Sequence, residues 1–126
     1  MIRSLLEILL LSFTIFAESS GESFDGRLAV GSVIRNRVNC YNKTYSDIIL
    51  QKNQFSCWNS KEISKHIKRI EYKPFKECLL IAKDIYFNNT KDNTQGSLYY
   101  TRKRIKRSWM NDMKIVLVID NHKFMK

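Results

Sequence analysis

The chain has 126 residues, of which 44% are hydrophobic and 27% charged, an ordinary globular mixture that can form one compact core. Lys and Arg outnumber Asp and Glu by 22 to 12, and the formal net charge of +10 predicts an anionic partner, nucleic acid or another polyanion. The three cysteines form no CxxC pair and there are only two histidines, so neither a metal site, a cofactor nor a complete disulfide framework is expected, although one disulfide plus a free thiol stays open.

Residues 1–17 are the most apolar segment of the chain, with Arg3 near its start and Ala17 at its end. This pattern resembles a secretory signal peptide. Against that interpretation, Glu7 interrupts the apolar run and Ile15 stands where signal cleavage prefers a small residue. The apolar stretch is also short for a membrane span. A buried central helix, apolar on all sides, has the same pattern. Membrane contact is expected only if the segment is a signal.

A second helix is predicted over residues 23–38, because apolar residues recur at the spacing of one helical face: Phe24, Leu28, Ala29, Val33, Ile34 and Val38. Ser23 is a suitable N-cap, Asp25 places a negative charge in the first turn, and Gly21 can end the preceding helix. Glu18 is therefore expected in the last turn of a buried helix, beside a chain reversal. Loss of solvation there raises a carboxyl pKa, which suits a general acid.

The middle of the chain contains weaker signals. Ser46 is the expected N-cap of a short helical turn with Asp47 in its first turn. Residues 61–73 are basic and weakly periodic, which predicts a surface loop with at most one helical turn and a solvated His66. Pro74 is expected to open a helix with a buried apolar stripe, because proline fits the first helical position.

The loop after the short turn, NQFSCW, combines amide, hydroxyl and aromatic side chains, namely Gln54, Phe55, Ser56 and Trp58. This combination is typical of sugar-binding loops, in which a ring lies under the pyranose and amide groups hold its hydroxyls. Ordinary core packing is the simpler interpretation of Phe55.

The C-terminal third changes to the period of β-strands. SLYYT and KIVLVI predict two strands, and DN before HKFM predicts a tight turn with a returning strand. Tyr99 and Tyr100 then point to opposite faces of their strand, while His122, next to Asn121, is most simply a turn-flanking residue. The fold class predicted for residues 1–126 is one α+β domain, mainly helical with a short antiparallel C-terminal sheet.

One long segment, AESSGESFDGRLAVGSVIRNRV, resembles the signature AEAxGExxxGxxAVxxVxxNR of the spore cortex-lytic family of cell-wall hydrolases. The similarity continues in order through YSDIILQKNQFSCW, where Asn53 replaces a glycine, through LYYT, and through IDNHKF near the end. Ser19 and Ser20 depart from the pattern but are compatible with a turn. Agreement over several blocks is more specific than one short motif.

The resemblance implies a lysozyme-like catalytic domain of the germination-specific lytic transglycosylase type, in which residues 1–17 are a core helix that carries the catalytic acid. Glu18 is the implied acid for cleavage between N-acetylmuramic acid and N-acetylglucosamine, with Glu22 as a secondary catalytic candidate that is expected to support the turn. The substrate-binding residues implied are Gln54, Phe55, Ser56, one of Tyr99 and Tyr100 facing the cleft, and His122.

We expect a monomer that acts on peptidoglycan glycan strands in the cell wall, the periplasm or outside the cell. The export route stays open, as does a phage-encoded protein made in the cytoplasm and released later. One alternative is a small basic nucleic-acid-binding protein using residues 102–107 with Tyr41 or Tyr45, which would leave Glu18 unexplained. The other is a wall-binding relative without catalytic activity. No obligatory nucleic acid is expected.

Overall fold

A computed structural model describes residues 2–51 and 54–126. Within these residues the elements are α1 (Ile2–Ser19), α2 (Phe24–Tyr41), α3 (Tyr45–Ile49), α4 (Ser60–Lys68), α5 (Tyr72–Tyr86), β1 (Tyr99–Arg102), β2 (Ile115–Ile119) and β3 (His122–Met125). Short 3-10 turns lie at Ser56–Trp58 and Ser108–Met110. The predicted α+β class, with helices followed by a short antiparallel sheet, is confirmed.

Helix α1 lies at the centre of the molecule and packs against α5, α2 and α3. Its second half is buried, with Leu11 and Ile15 fully inside the core. Its first half is less enclosed than the sequence predicts, because Leu5, Leu6 and Leu9 are exposed. The second half of this helix therefore belongs to the hydrophobic core. Over residues 2–51 and 54–126, no helix combines the length and apolarity needed to cross a membrane.

Helix α2 begins where the sequence predicts. The Ser23 hydroxyl accepts a hydrogen bond from the Gly26 N–H at 3.2 Å, and the helix continues to Tyr41 before Asn42 takes a left-handed conformation with φ 53°. Gly31 faces α1 and α5, and a Cβ added there would lie 2.3 Å from Cδ1 of Ile85. The glycine therefore allows these helices to approach closely.

The predicted N-cap of α3 is wrong. Thr44, not Ser46, is the N-cap of α3, because its hydroxyl accepts from the Asp47 N–H at 3.1 Å and completes a capping box. The Ser46 N–H instead donates to Glu7 at 2.7 Å. In the same helix Tyr45 is buried, which removes it from the exposed aromatics of the nucleic-acid alternative.

Residues 61–73 are not a loop, because most of them belong to α4 and to the start of α5. His66 is not solvated: its side chain is 12% exposed and its ring lies edge-on to Phe13, with centroids 6.4 Å apart. Pro74 lies within the first turn of α5, since that helix already begins at Tyr72. A proline is tolerated there because the first N–H groups of a helix have no partner within it.

The sheet has the strand order β1-β3-β2 with antiparallel neighbours. The predicted turn between β2 and β3 is confirmed, with Asp120 at φ 50°. The Asp120 carboxylate accepts from the N–H and the hydroxyl of Ser23, at 2.8 and 2.6 Å, which ties this turn to the start of α2. A Cβ on Gly26 would lie 2.5 Å from Asp120 Oδ2, so the glycine makes room for this contact.

The three cysteines are free thiols, and the disulfide that composition left open does not form. Cys78 is buried, as predicted, and so is Cys57, whereas Cys40 is exposed. Burial raises the pKa of Cys57 to about 12 and that of Cys78 to about 11. Both thiols are therefore protonated at neutral pH and behave as small hydrophobic side chains.

Candidate active site

A polar cleft of about 710 Å³ opens beside the end of α1. One wall is the turn of residues 17–22, and the others come from the loop of residues 54–56, from α4, and from the sheet residues 100–102 and 121–122. The cleft brings together Glu18, Glu22, Gln54, Phe55, Ser56, Tyr100 and His122, seven of the eight site residues predicted from the sequence. Tyr99 is the exception. Asn53 lies outside the described residues.

Glu18 lies in the last turn of α1 and faces the cleft, where the Tyr100 hydroxyl donates a hydrogen bond to its Oε1. Burial raises the pKa of the Glu18 carboxyl above its ordinary value. The hydrogen bond from Tyr100 and the positive charges of Arg102 and Arg37 offset only part of this rise. The carboxyl group therefore holds its proton to a higher pH than an exposed glutamate does.

Arg27 holds the end of the helix that carries Glu18. Its guanidinium group donates to the carbonyls of Ser19, at 3.4 Å, and Ser20, and forms an ion pair with Glu77 on α5 at 2.6 Å. The last carbonyls of a helix have no partner within it, so a guanidinium group is a suitable cap. Arg27 was not among the predicted site residues, because only the folded chain brings α2 under the end of α1.

The neighbouring tyrosines of β1 point to different surroundings, as strand geometry predicts. Tyr100 faces Glu18, and burial together with that carboxylate raises the pKa of its phenol well above the ordinary value. Its ring also packs on His122, with centroids 5.2 Å apart. Tyr99 turns away to Arg37 and to Tyr41, whose hydroxyl lies 3.5 Å from its own.

Arg37 is a cleft residue that was missed in the sequence. Its Nε donates to the Leu98 carbonyl at 2.6 Å and its Nη1 to Gln54 Oε1 at 2.8 Å, while the guanidinium group lies 5.8 Å from the Phe55 ring centre. Gln54 is thus held on the cleft wall by α2. Phe55 is buried in the core, as its simpler interpretation predicted, and Ser56 is exposed at the rim.

Asn36, the residue before Arg37, binds the loop before β1 rather than the cleft wall. Its side-chain N–H groups donate to the Ser97 carbonyl at 2.9 Å and to Asp92 at 3.1 Å, which fixes the loop that leads into β1. Asp92 also accepts from the N–H groups of Thr94 and Gly96, both at 2.7 Å. The Asn-Arg pair at the end of the signature therefore positions the strand of Tyr100 and the wall of the cleft.

Glu22 and His122 meet at the opposite end of the turn. One Glu22 oxygen lies 3.5 Å from His122 Nδ1, and the other accepts from Asn121 at 3.3 Å. Because α1 ends at Ser19, Glu22 does not share a helix face with Glu18, as predicted. Burial lowers the pKa of His122 below its ordinary value despite the nearby carboxylate. Glu22 therefore links the turn to the sheet.

Helix α4 and the residue after it supply a wall that the sequence interpretation did not include, with Glu62, Lys65, His66 and then Arg69 lining the cleft. The weak periodicity of residues 61–73 concealed this helix. A signal was present, since Ile63 and Ile67 lie four residues apart and Glu62 and Lys65 are spaced for an ion pair on one helical face. Here those two charged groups are 4.0 Å apart.

Chemically, the cleft offers one buried carboxyl group with a raised pKa, surrounded by amide, hydroxyl, imidazole and guanidinium groups. A carboxyl group in this state can donate a proton to a substrate oxygen at a higher pH than an exposed glutamate can. The open, polar cleft suits a hydroxyl-rich polymer better than a small apolar ligand.

Comparison with known proteins gives two kinds of similarity. A protein-family model described as Cell Wall Hydrolase matches residues 21–125, which begin just after Glu18. The catalytic domain of the germination-specific lytic transglycosylase SleB from Bacillus anthracis is similar in structure, with a TM-score of 0.74 and 26% identity over 95% of this chain and 93% of that one.

The catalytic domain of the Bacillus cereus SleB protein is similar with a TM-score of 0.73 and 27% identity, over 95% of this chain and 89% of that one. A sequence comparison with curated proteins gives no match.

Proposed function

We propose a reaction for this chain from the premise that it belongs to the cell wall hydrolase family. The chain cleaves peptidoglycan, at the glycosidic bond between N-acetylmuramic acid and N-acetylglucosamine, and it does so as a lytic transglycosylase with Glu18 as the catalytic residue. The observation that supports this most strongly is the buried Glu18 carboxyl group at the base of a polar cleft, in a fold similar to that of a germination-specific lytic transglycosylase.

In the first step, protonated Glu18 donates its proton to the glycosidic oxygen while the bond from that oxygen to the muramoyl C1 breaks. The departing sugar leaves as a neutral alcohol, and the muramoyl ring passes through a state with oxocarbenium character. The raised pKa of Glu18 supports this role, because a carboxyl group that is already ionised at low pH has no proton to donate near neutral pH.

In the second step, the C6 hydroxyl of the same muramoyl unit attacks C1 and transfers its proton to the Glu18 carboxylate. This closes a 1,6-anhydro ring and returns Glu18 to its protonated form, with no water consumed. One carboxyl group is therefore enough for both steps. The Tyr100 hydroxyl, which donates to Glu18, stabilises the carboxylate between them.

Glu22 has a structural rather than a catalytic role in this proposal. One of its oxygens accepts a hydrogen bond from Asn121 and the other lies 3.5 Å from His122 Nδ1, so it links the turn and the sheet beside the substrate. A hydrolase with two catalytic carboxylates is the competing reaction, in which Glu22 would assist a water molecule. The similarity to a lytic transglycosylase favours the single-carboxylate route.

The other site residues are proposed as substrate contacts. Gln54 and Ser56 would hold hydroxyl or acetamido groups of the glycan from one wall, and Tyr100 and His122 would face it from the other. The nucleic-acid alternative gains nothing from the comparisons, which give a cell wall hydrolase family. We further propose that the chain acts as a monomer, in the wall or outside the cell.

The experiment that tests this function measures the release of soluble material from purified sacculi. Glu18→Gln keeps the size of the side chain but has no proton to donate, and we expect it to lower the rate by about 100-fold or more. Glu22→Gln should retain measurable activity. Asp112→Asn, a change in an exposed loop, is the matched control and should behave like the wild type. Full activity of Glu18→Gln would overturn the proposal.

A further inference from the structure

A second recess, of about 210 Å³, shares Arg37 and Gln54 with the cleft. Its other lining residues include Tyr41, Lys43, Ile48 and Tyr99. None of its described lining residues is acidic. Because the two shared residues form part of both walls, the recess lies directly beside the cleft. The proposed reaction at Glu18 does not use this space.

The recess is built from groups that bind a carboxylate. Arg37 and Lys43 supply two positive charges, and the hydroxyls of Tyr41 and Tyr99 lie 3.5 Å apart as further hydrogen-bond donors. The buried Ile48 gives one apolar surface. This arrangement suits a carboxylate on a short aliphatic chain, because the charge meets donors while the carbon atoms meet Ile48.

Arg37 is held in place before any ligand binds. Its bonds to the Leu98 carbonyl and to Gln54 use the Nε and one Nη1 N–H, out of the five donors that a guanidinium group carries. Tyr99 lies under it, with the guanidinium carbon 5.3 Å from the ring centre, and the Trp109 ring packs on Tyr99 with centroids 6.2 Å apart. A fixed cation loses little conformational freedom on binding an anion.

In peptidoglycan, carboxylates are carried by the peptide stems that are attached to the muramoyl units. We propose that the recess binds a carboxylate of such a stem peptide, on a muramoyl unit whose sugar lies in the cleft. This inference rests on the proposed function and deepens it, because it makes the enzyme selective for glycan strands that carry peptides. The phosphates of teichoic polymers are the other wall anions with similar chemistry, and the experiment separates them.

The test compares kcat/KM on two soluble substrates, glycan strands with their stem peptides and the same strands after an amidase has removed the peptides. The wild type should prefer the peptide-bearing strands. Lys43→Ala should lower this preference by about threefold, the size expected for an exposed ion pair. Lys43→Glu should lower it further, because it places a negative charge beside the carboxylate. Lys91→Ala, an exposed lysine outside both spaces, should leave the preference unchanged.

Two outcomes would overturn this inference and leave the proposed function intact. Equal kcat/KM on both substrates for the wild type and for Lys43→Ala would show that no stem carboxylate binds. Competition by soluble polyglycerol phosphate that disappears in Lys43→Ala would assign the recess to phosphate instead. Failure to cleave either substrate would contradict the proposed function as well, so the two failures are distinguishable. Lys43 is exposed, so these variants should fold, and thermal unfolding checks this.

Discussion

At the scale of single residues, the chemistry depends on how the environment of Glu18 sets its proton affinity. Burial and the Tyr100 hydroxyl act in opposite directions: burial disfavours the charged carboxylate, and the hydrogen bond favours it. Burial is the larger effect, so the pKa of Glu18 stays raised. Glu18 can therefore donate a proton, and the carboxylate that remains still accepts a hydrogen bond from Tyr100.

The variant Tyr100→Phe should therefore shift the pH dependence of the reaction. Removing the hydroxyl removes a hydrogen bond that stabilises the charged form, so the pKa of Glu18 should rise further. Because the acid must be protonated to act, the alkaline limb of the kcat/KM profile should move to higher pH. The ring still packs on His122 and Phe124, so the fold should be retained.

Tyr99→Phe is the control for this shift. It removes a neighbouring phenol that lies beside Tyr41 and makes no hydrogen bond to Glu18. Its alkaline limb should coincide with that of the wild type. A limb that moves to lower pH in Tyr100→Phe, or moves equally in both variants, would show that Tyr100 does not set the pKa of Glu18.

Among single residues, the sequence predicts the position of Glu18 well because that position depends on local features: an apolar helix and a new N-cap at Ser23 shortly after it. The role of Arg37 could not be predicted in the same way. In the sequence it is one polar residue on an amphipathic helix, and only the packing of α2 against the loops of Leu98 and Gln54 places it in the cleft wall. Long-range contacts of this kind leave no periodic signal.

At the scale of the elements, the site depends on three helices that cross closely. Gly31 on α2 faces Ile15 of α1 and Ile85 of α5, and both isoleucines are fully buried. A Cβ at this position would lie 2.9 Å from Ile15 and 2.3 Å from Ile85. Since the buried side chains have little space to move into, the helices themselves would have to separate.

We expect Gly31→Ala to lower the free energy of unfolding by about 1 to 2 kcal/mol, because overpacking outweighs the higher helix propensity of alanine. Denaturant unfolding measures this. Gly21→Ala is the matched control, since no atom lies within 4 Å of an added Cβ there. That change should be neutral or stabilise by up to about 1 kcal/mol. Equal stability of Gly31→Ala and the wild type would contradict the packing described.

The elements also show where sequence patterns are reliable. The helix after Ser23 and the hairpin at Asp120 were predicted, because capping residues and turn residues act through their nearest neighbours. Helix α4 was missed, because its basic composition and weak periodicity hide a helix that packs against the 3-10 turn at Ser56–Trp58. The cap of α3 is Thr44 rather than Ser46, because the Thr44 hydroxyl accepts from the Asp47 N–H, while the Ser46 N–H donates to Glu7 of α1.

At the scale of the whole molecule, α1 connects the stability of the fold to the site. The helix contributes Ile8, Leu11, Phe13, Ile15 and Phe16 to the main hydrophobic core and ends at the turn that contains Glu18. A chain that begins at Glu18, as cleavage of a signal after Ala17 would leave it, loses all of these side chains. It also loses the helix that Arg27 caps.

We therefore expect the chain truncated before Glu18 to lack cooperative thermal unfolding and all activity on sacculi, since burying large apolar side chains is the dominant stabilising term. Circular dichroism during heating measures the first property. The full chain is the control. A truncated chain that unfolds cooperatively and cleaves sacculi would restore the interpretation of residues 1–17 as a signal peptide.

The measurement that tests the central claim most directly is mass spectrometry of the products released from sacculi by the wild type and by Glu18→Gln. Because the pKa of Glu18 is raised in the folded chain, ionisation of Glu18 lowers the stability of the fold as pH rises. Glu18→Gln should therefore be at least as stable as the wild type near neutral pH, and a loss of products would not come from unfolding. We predict products that end in 1,6-anhydro-muramic acid with the wild type and none with Glu18→Gln. Reducing ends from the wild type, or anhydro ends from the variant, would contradict the account.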